Sequence, residues 1–243
     1  MENLKDYSYF PQQHNSAFAA DRRPAMSTLT GTPLAPLLAR LIKEANQATS
    51  PAMAAYSREE QARPITSKTE YVGFYGSMKD LWLAVSPQTG TLLYMLARGT
   101  GAHVIVEFGM SFGISTLYLA AALRDNGGGR LITTEFEPSK VMRAKANLAD
   151  GGLIDLVEIR EGDALETLSA DLPETIDLLL LDGAKALYPD ILGLVESRLR
   201  PGALVVADNA DFSPDYLGRV RSPAGGYMST PFGDDVELSM RLG

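Results

Sequence analysis

From about residue 104 onward, short apolar runs alternate with amphipathic ones. The runs HVIVEFG, RLITTEF, LVEIREGD, IDLLLLDG and GALVVADN are each of strand length. Most are apolar at consecutive positions, as in strands buried on both faces. Between them, residues 115–124, 138–150, 164–170 and 188–200 carry a helical spacing of apolar positions. This alternation predicts an α/β fold with a doubly wound, mostly parallel sheet. After Tyr216 the chain is punctuated by Gly, Pro and Asp, and then VELSMRL reads as a late strand.

Upstream the pattern is different. Residues 1 to about 30 are polar and irregular, with scattered aromatics, and read as a loose arm or a segment ordered by a partner chain. A first helix is expected from Thr32 as N-cap and Pro33 at the first helical position, through LAPLLARLIKEANQ. Residues 51–65 suit a second helix ended by Pro64, and residues 67–77, rich in Gly and Tyr, read as loop. Ser86 and Pro87 open another helix with an apolar face through Leu92, Leu93 and Leu96, and Gly99 is its expected C-cap. The chain thus divides into an N-terminal arm with helices, residues 1–76, and a sheet domain, residues 77–243.

Composition narrows the chemistry. The sequence of 243 residues is 45% hydrophobic, ample for one sizeable core. It has no cysteine, which excludes disulfides, thiolate zinc sites and a cysteine nucleophile. Its two histidines, His14 and His103, lie far apart and do not suggest a multi-histidine metal site. A net charge of −8 argues against a surface built to grip phosphates. The N-terminus lacks a secretory pattern and no apolar run reaches the length of a membrane span. A soluble, cytoplasmic protein with no membrane partner is expected.

In open α/β sheets, ligands bind outside the carboxyl ends of the strands. Several polar residues stand there. The first strand leads into Glu107-Phe108-Gly109-Met110-Ser111-Phe112-Gly113, a G-x-x-x-G turn that suits close approach to a ligand or simply a tight strand-to-helix connection. The second ends in Glu135 and Phe136, an acid placed to take ribose hydroxyls or to start a helix. The third ends near Asp163 and Ala164, where Asp163 is an N-cap or an acceptor for an adenine amino group. The fourth and fifth end in Asp182, with Lys185 close behind, and in Asp208-Asn209. Two carboxylates and an amide oxygen suit a hard cation such as Mg2+. Lys185 is either a base or an ion-pair partner of Asp182, and Asn209 either a ligand or a turn cap.

Taken in order, VSPQTGTLL, VEFGMSFGIST, TTEFEP, EGDALETL, LLLLDGAKALY, LRPGALVVADN and PFGDDVELSMRL resemble class I S-adenosylmethionine-dependent methyltransferases. The resemblance is narrower to the metal-dependent O-methyltransferases that include catechol and caffeoyl-CoA O-methyltransferases, in their bacterial branch. It spans roughly residues 77–243 and implies a Rossmann-like seven-stranded sheet with an N-terminal helical extension. The implied cofactors are S-adenosylmethionine and a divalent cation, with Mg2+ expected. By this resemblance Glu107, Gly109, Ser111 and Gly113 form the turn beside the cofactor, and Ser115 and the Val85 backbone hold its methionine carboxylate. Glu135 takes the ribose, Phe136 packs on the adenine, and Asp163 and Ala164 flank the adenine edge. Asp182 borders the cofactor and binds the metal with Asp208 and Asn209; Lys185 is the base. Gly90 lets its helix sit close to the cofactor.

The implied reaction is methylation of a metal-bound hydroxyl on a small phenolic or vicinal-diol acceptor, in a homodimer. Tyr188, Phe212, Tyr227 and Phe232 are candidate acceptor walls, Glu237 a candidate neighbour of the site, and Trp82 a candidate for its entrance. The chain has Ala184 where the catechol enzyme carries an aromatic, and Gly183 where it is bulkier, so one wall of a catechol slot is missing. Rival readings are a tRNA hydroxyuridine O-methyltransferase using a patch of Arg198, Arg200, Arg219 and Arg221, a nicotinamide-dependent oxidoreductase, and a silent nucleotide-binding module.

Overall fold

The structure, a computed structural model, describes residues 27–49, 64–233 and 235–243. Most of the expected arm and most of the expected second helix lie outside the described residues. Among the described residues, α1 (Leu34–Gln47), α2 (Tyr71–Ser77) and α3 (Pro87–Gly99) precede the sheet. Then come β1 (Val104–Phe108), α4 (Ile114–Asp125), β2 (Arg130–Glu135), α5 (Pro138–Asp150), β3 (Val157–Glu161), α6 (Ala164–Thr167) and β4 (Ile176–Leu181). The chain continues through α7 (Tyr188–Val195), β5 (Leu199–Ala207), α8 (Pro214–Val220), β6 (Tyr227–Phe232) and β7 (Val236–Arg241).

The seven strands form one sheet in the order β3-β2-β1-β4-β5-β7-β6. β1 to β5 are parallel, and β7 runs antiparallel to both β5 and β6. The order reverses direction between β1 and β4, which makes a crevice at their carboxyl ends. One core layer packs α1, α3 and α4 on the sheet, with Leu34, Leu93, Leu119 and Ile105 wholly buried. The other packs α7 and α8, through Ile191, Leu192, Tyr216 and Val220.

Several local expectations change. The first helix starts one residue late: Pro33 is its N-cap, after a cis peptide to Thr32. Residues 71–77, expected as loop, are α2. Tyr71, Phe74, Tyr75 and Met78 follow the i, i+3, i+4, i+7 spacing of a helix face, and Phe74 and Met78 are buried. The C-cap of α3 is Thr100, and Gly101, at φ 63°, supplies the left-handed turn expected of Gly99. α6 is one turn long, and the helix expected over 188–200 yields at Leu199 to β5. The tail holds two strands rather than one, plus α8. β6 escapes notice because it is an edge strand with mostly exposed positions and a proline, Pro231.

Candidate active site

The strand tips enclose a cavity of about 290 Å3. Gly109, Ser111, Glu135, Phe136, Asp163, Ala164 and Asp182 all line it, as the motifs imply. Gly109 sits at φ 97°, and a Cβ there would come within 2.6 Å of the Gly183 backbone. Only glycine lets the tips of β1 and β4 approach this closely. Asp163 caps α6 by accepting from Leu165 N at 2.9 Å and also lines the cavity. Glu135 accepts Ser111 N at 2.9 Å and Glu137 N at 3.0 Å. Loss of hydration raises its carboxyl above the usual range, a rise that these amides and Lys140 oppose.

Three residues assigned to the cofactor, Glu107 and Gly113 of the turn and Ser115 at the methionine carboxylate, do not line this cavity. Glu107 is wholly buried and accepts hydroxyl hydrogen bonds from Ser115, Thr116 and Thr133, each at 2.6 Å. It ties β1 to α4 and β2 behind the turn rather than lining the cavity, and burial pushes its carboxyl up to about 7. Ser115 donates to Glu107 and borders only a small recess beside the main cavity. Gly113, at φ 85°, is the N-cap of α4, packed against Ala144. Gly90 also serves another purpose. A Cβ there would lie 2.4 Å from the Tyr118 ring, so its bareness lets α3 pack on α4.

A second cavity, about 420 Å3, opens beyond the first. It is lined by Ile42, Ala45 and Asn46 of α1, by residues 84–87 including Val85, by Trp82, and by Asp208, Asn209 and Asp235. Asp182 borders the first cavity and Asp208 the second. They follow paired positions, Leu181 and Ala207, on neighbouring parallel strands. The Asp182 and Asp208 carboxyls act on one another. Both are pushed up first by loss of hydration, Asp208 to about 7 with Asp182 adding to the rise.

Two close, poorly hydrated carboxylates repel when both are charged, and a divalent cation relieves that repulsion. Asn209, at φ 47°, turns beside them and donates through Nδ2 to Asp235 at 3.1 Å, a bond that does not use its oxygen. The donor set of Asp182, Asp208 and Asn209 therefore fits a hard cation. Among the described residues no group of three or more His, Asp or Glu side chains gathers as a metal cluster; the third donor is an amide.

Lys185 is buried, with its Nζ 3.0 Å from Asp182 Oδ1 and donating to Tyr188 Oη at 2.8 Å. Tyr188 in turn donates to the Asp208 carbonyl at 2.8 Å. The lysine is thus a buried partner of Asp182, tied through the Tyr188 hydroxyl to the Asp208 backbone. Tyr188 belongs to the core that supports it rather than to an acceptor wall. Neither Phe212, Tyr227 nor Phe232 lines either cavity. Tyr227 bonds Glu196, and Phe212 and Phe232 are exposed. Glu237 is turned away into a bidentate pair with Arg221. The expected basic patch is largely consumed: Arg200 pairs with Asp177, Arg219 with Glu196 and Arg221 with Glu237.

Tyr71, Tyr75, Leu83 and Lys140 also line the first cavity, and no motif in the sequence marks them. The two tyrosines were readable from the helical spacing of α2, which Gly73 and Gly76 obscure. Lys140 lies on the buried stripe of α5 with Val141, Ala144, Asn147 and Leu148.

Residues 106–210 match the family model described as a methyltransferase domain. A catechol O-methyltransferase of Niastella koreensis is 37% identical over 130 residues, covering 52% of this chain and 58% of that protein. A catechol O-methyltransferase of Mycobacterium tuberculosis is 34% identical over 127 residues, covering 52% and 57%. The chain thus spans under two thirds of the length of these relatives. The O-methyltransferase TomG of Streptomyces achromogenes, involved in tomaymycin synthesis and solved with S-adenosylmethionine, superposes with a TM-score of 0.61 at 27% identity. That match covers 79% of this chain and 94% of TomG.

Proposed function

We propose that this chain, a member of the class I O-methyltransferases, moves a methyl group from S-adenosylmethionine to a hydroxyl oxygen of a small acceptor. The observation that carries the reading is the pair of adjoining cavities with Asp182 at the edge of one and Asp208 at the edge of the other. The first offers acids at successive strand tips, suited to a nucleoside. The second, of about 420 Å3, suits a single-ring acceptor. Two sites meeting at one polar seam suit direct transfer between two bound molecules.

In this reading the C–S bond of the sulfonium breaks as the acceptor oxygen forms the new C–O bond, and the thioether leaves neutral. The acceptor hydroxyl loses its proton to Lys185 Nζ, which Asp182 and Tyr188 hold in place. Asp182, Asp208 and Asn209 would hold a divalent cation, which when bound lowers the pKa of a coordinated hydroxyl. Glu135 takes the ribose hydroxyls, and Gly109 lets the backbone approach the donor. A phenolic vicinal diol suits this seam best, because the cation that Asp182, Asp208 and Asn209 would hold would supply Lewis acidity to a neighbouring hydroxyl.

The test is transfer of label from S-adenosylmethionine to a panel of vicinal-diol phenols, with and without chelator. Chelator-sensitive methylation is the expected result. Binding of S-adenosylhomocysteine without transfer to any phenol would remove the acceptor class, and failure to bind it would remove the reaction.

A further inference from the structure

An ammonium group taken out of water normally has a carboxylate to meet, because an unpaired buried charge is costly. Lys140, in the first turn of α5, has none at contact distance among the described residues. It is 3% exposed and lines the first cavity. Its one hydrogen bond there is a long one, donated to Ser111 Oγ at 3.4 Å, and the Phe112 ring lies 5.5 Å away. Three acids face it from a distance: Glu135 at the tip of β2, Glu137 at the N-cap of α5, and Asp80 after α2. Lys79 faces Glu137 from the same segment as Asp80. Arg143, one turn further along α5, is engaged by Glu44 and the Trp82 ring.

Ser111 joins the lysine to Glu135. Its backbone N donates to Glu135 Oε2 at 2.9 Å while its hydroxyl meets Lys140. It adopts φ 49°, unusual outside glycine, so the two contacts hold a backbone turn that few residues favour. A ribose diol needs both kinds of partner: acceptors for its two O–H groups and a donor for its oxygen lone pairs. A carboxylate and an ammonium on one wall supply both.

We infer that Lys140 is a further positioning residue for the cofactor, donating to the ribose oxygens beside Glu135, which accepts from the same hydroxyls. The inference rests on the nucleoside reading of the first cavity. Burial pushes Glu135 toward its neutral form, and the positive charge of Lys140 opposes this. Without that charge Glu135 holds its proton to higher pH, and the neutral acid accepts hydrogen bonds poorly. Ribose binding should then become pH-dependent.

The test is calorimetric titration of the full chain with S-adenosylhomocysteine over a pH series that runs upward from the ordinary carboxylate range. The variants are Lys140→Met, Lys140→Gln, Lys140→Arg, Glu135→Gln and the double change Lys140→Gln/Glu135→Gln. Both uncharged Lys140 variants should bind about tenfold more weakly on the acid side, near 1.4 kcal/mol, and regain affinity as pH rises. Lys140→Arg should track the wild type, and the double variant should lose the pH slope. Lys140→Gln retains a donor for Ser111, so it separates charge from packing should Lys140→Met misfold. Wild-type-like affinity at every pH, or a constant loss with no slope, would overturn the inference. Failure of the wild type to bind would instead remove the nucleoside reading itself.

Discussion

Lys185 and Glu107 are both buried ionisable groups, yet their surroundings give them different roles. Lys185 Nζ reaches Asp182, whose carboxylate lines the first cavity. Lys185→Ala should therefore leave S-adenosylhomocysteine affinity near that of the wild type and lower turnover by roughly 10²–10⁴-fold, the range of a positioned general base; paired binding and single-turnover measurements check this. Glu107 ends in a cage of three hydroxyls and borders neither cavity. Its folded pKa, about 7, lies above the ordinary 4.5, so between these values the folded state holds more protons than the unfolded one. That contribution to stability is full below the lower value and falls as pH rises through the window. Melting temperatures across it should fall less steeply for Glu107→Gln than for the wild type. The sequence placed Glu107 at the correct strand end but could not say which way its side chain points. One residue along a strand reverses the face, and in a sheet buried on both sides neither face is polar enough to give the direction away. Asp182 and Asp208 were legible because each follows its strand, where the side chain has only the crevice to enter.

At the scale of elements, close approach decides what glycine may become. A Cβ at Gly90 would stand 2.4 Å from Tyr118, between two helices that share one core. Gly90→Ala should cost about 1–3 kcal/mol as overpacking, read as a lower melting temperature with little change in chelator sensitivity of the residual activity. The parallel strands and their crossovers were legible because burial on both faces leaves an unbroken apolar run. α2 was not, since Gly73 and Gly76 interrupt it and its apolar face is only four residues. The division of the tail into β6 and β7 was hidden for a different reason. β6 spends most of its side chains on solvent, and its pairing with β7 is written in backbone hydrogen bonds rather than in apolar spacing.

Across the whole molecule, α1 is joined to the sheet by a shared core, and Thr28, just ahead of α1, is tied to the end of α4 by its backbone and hydroxyl, which both meet the Asp125 carboxylate. No helix among the described residues is long and apolar enough to cross a membrane. Occupation of the first cavity should stabilise the entire fold: S-adenosylhomocysteine at about 100 times its Kd should add roughly 2.7 kcal/mol, seen as a rise in melting temperature that NAD does not reproduce. With a net charge of −8 and three of its candidate arginines paired, the surface should bind tRNA weakly. A tight complex weakened steeply by salt would contradict this. Trp82 has a practical consequence. It is the only tryptophan in the sequence, and its ring lies 4.7 Å from Phe112 and 4.7 Å from the Arg143 guanidinium, which Glu44 of α1 holds in turn. The chain thus carries a single indole fluorophore at the wall of the second cavity. Its emission colour and quenching can time the arrival of each ligand in a stopped-flow trace, with no dye attached and no other indole to confuse the signal.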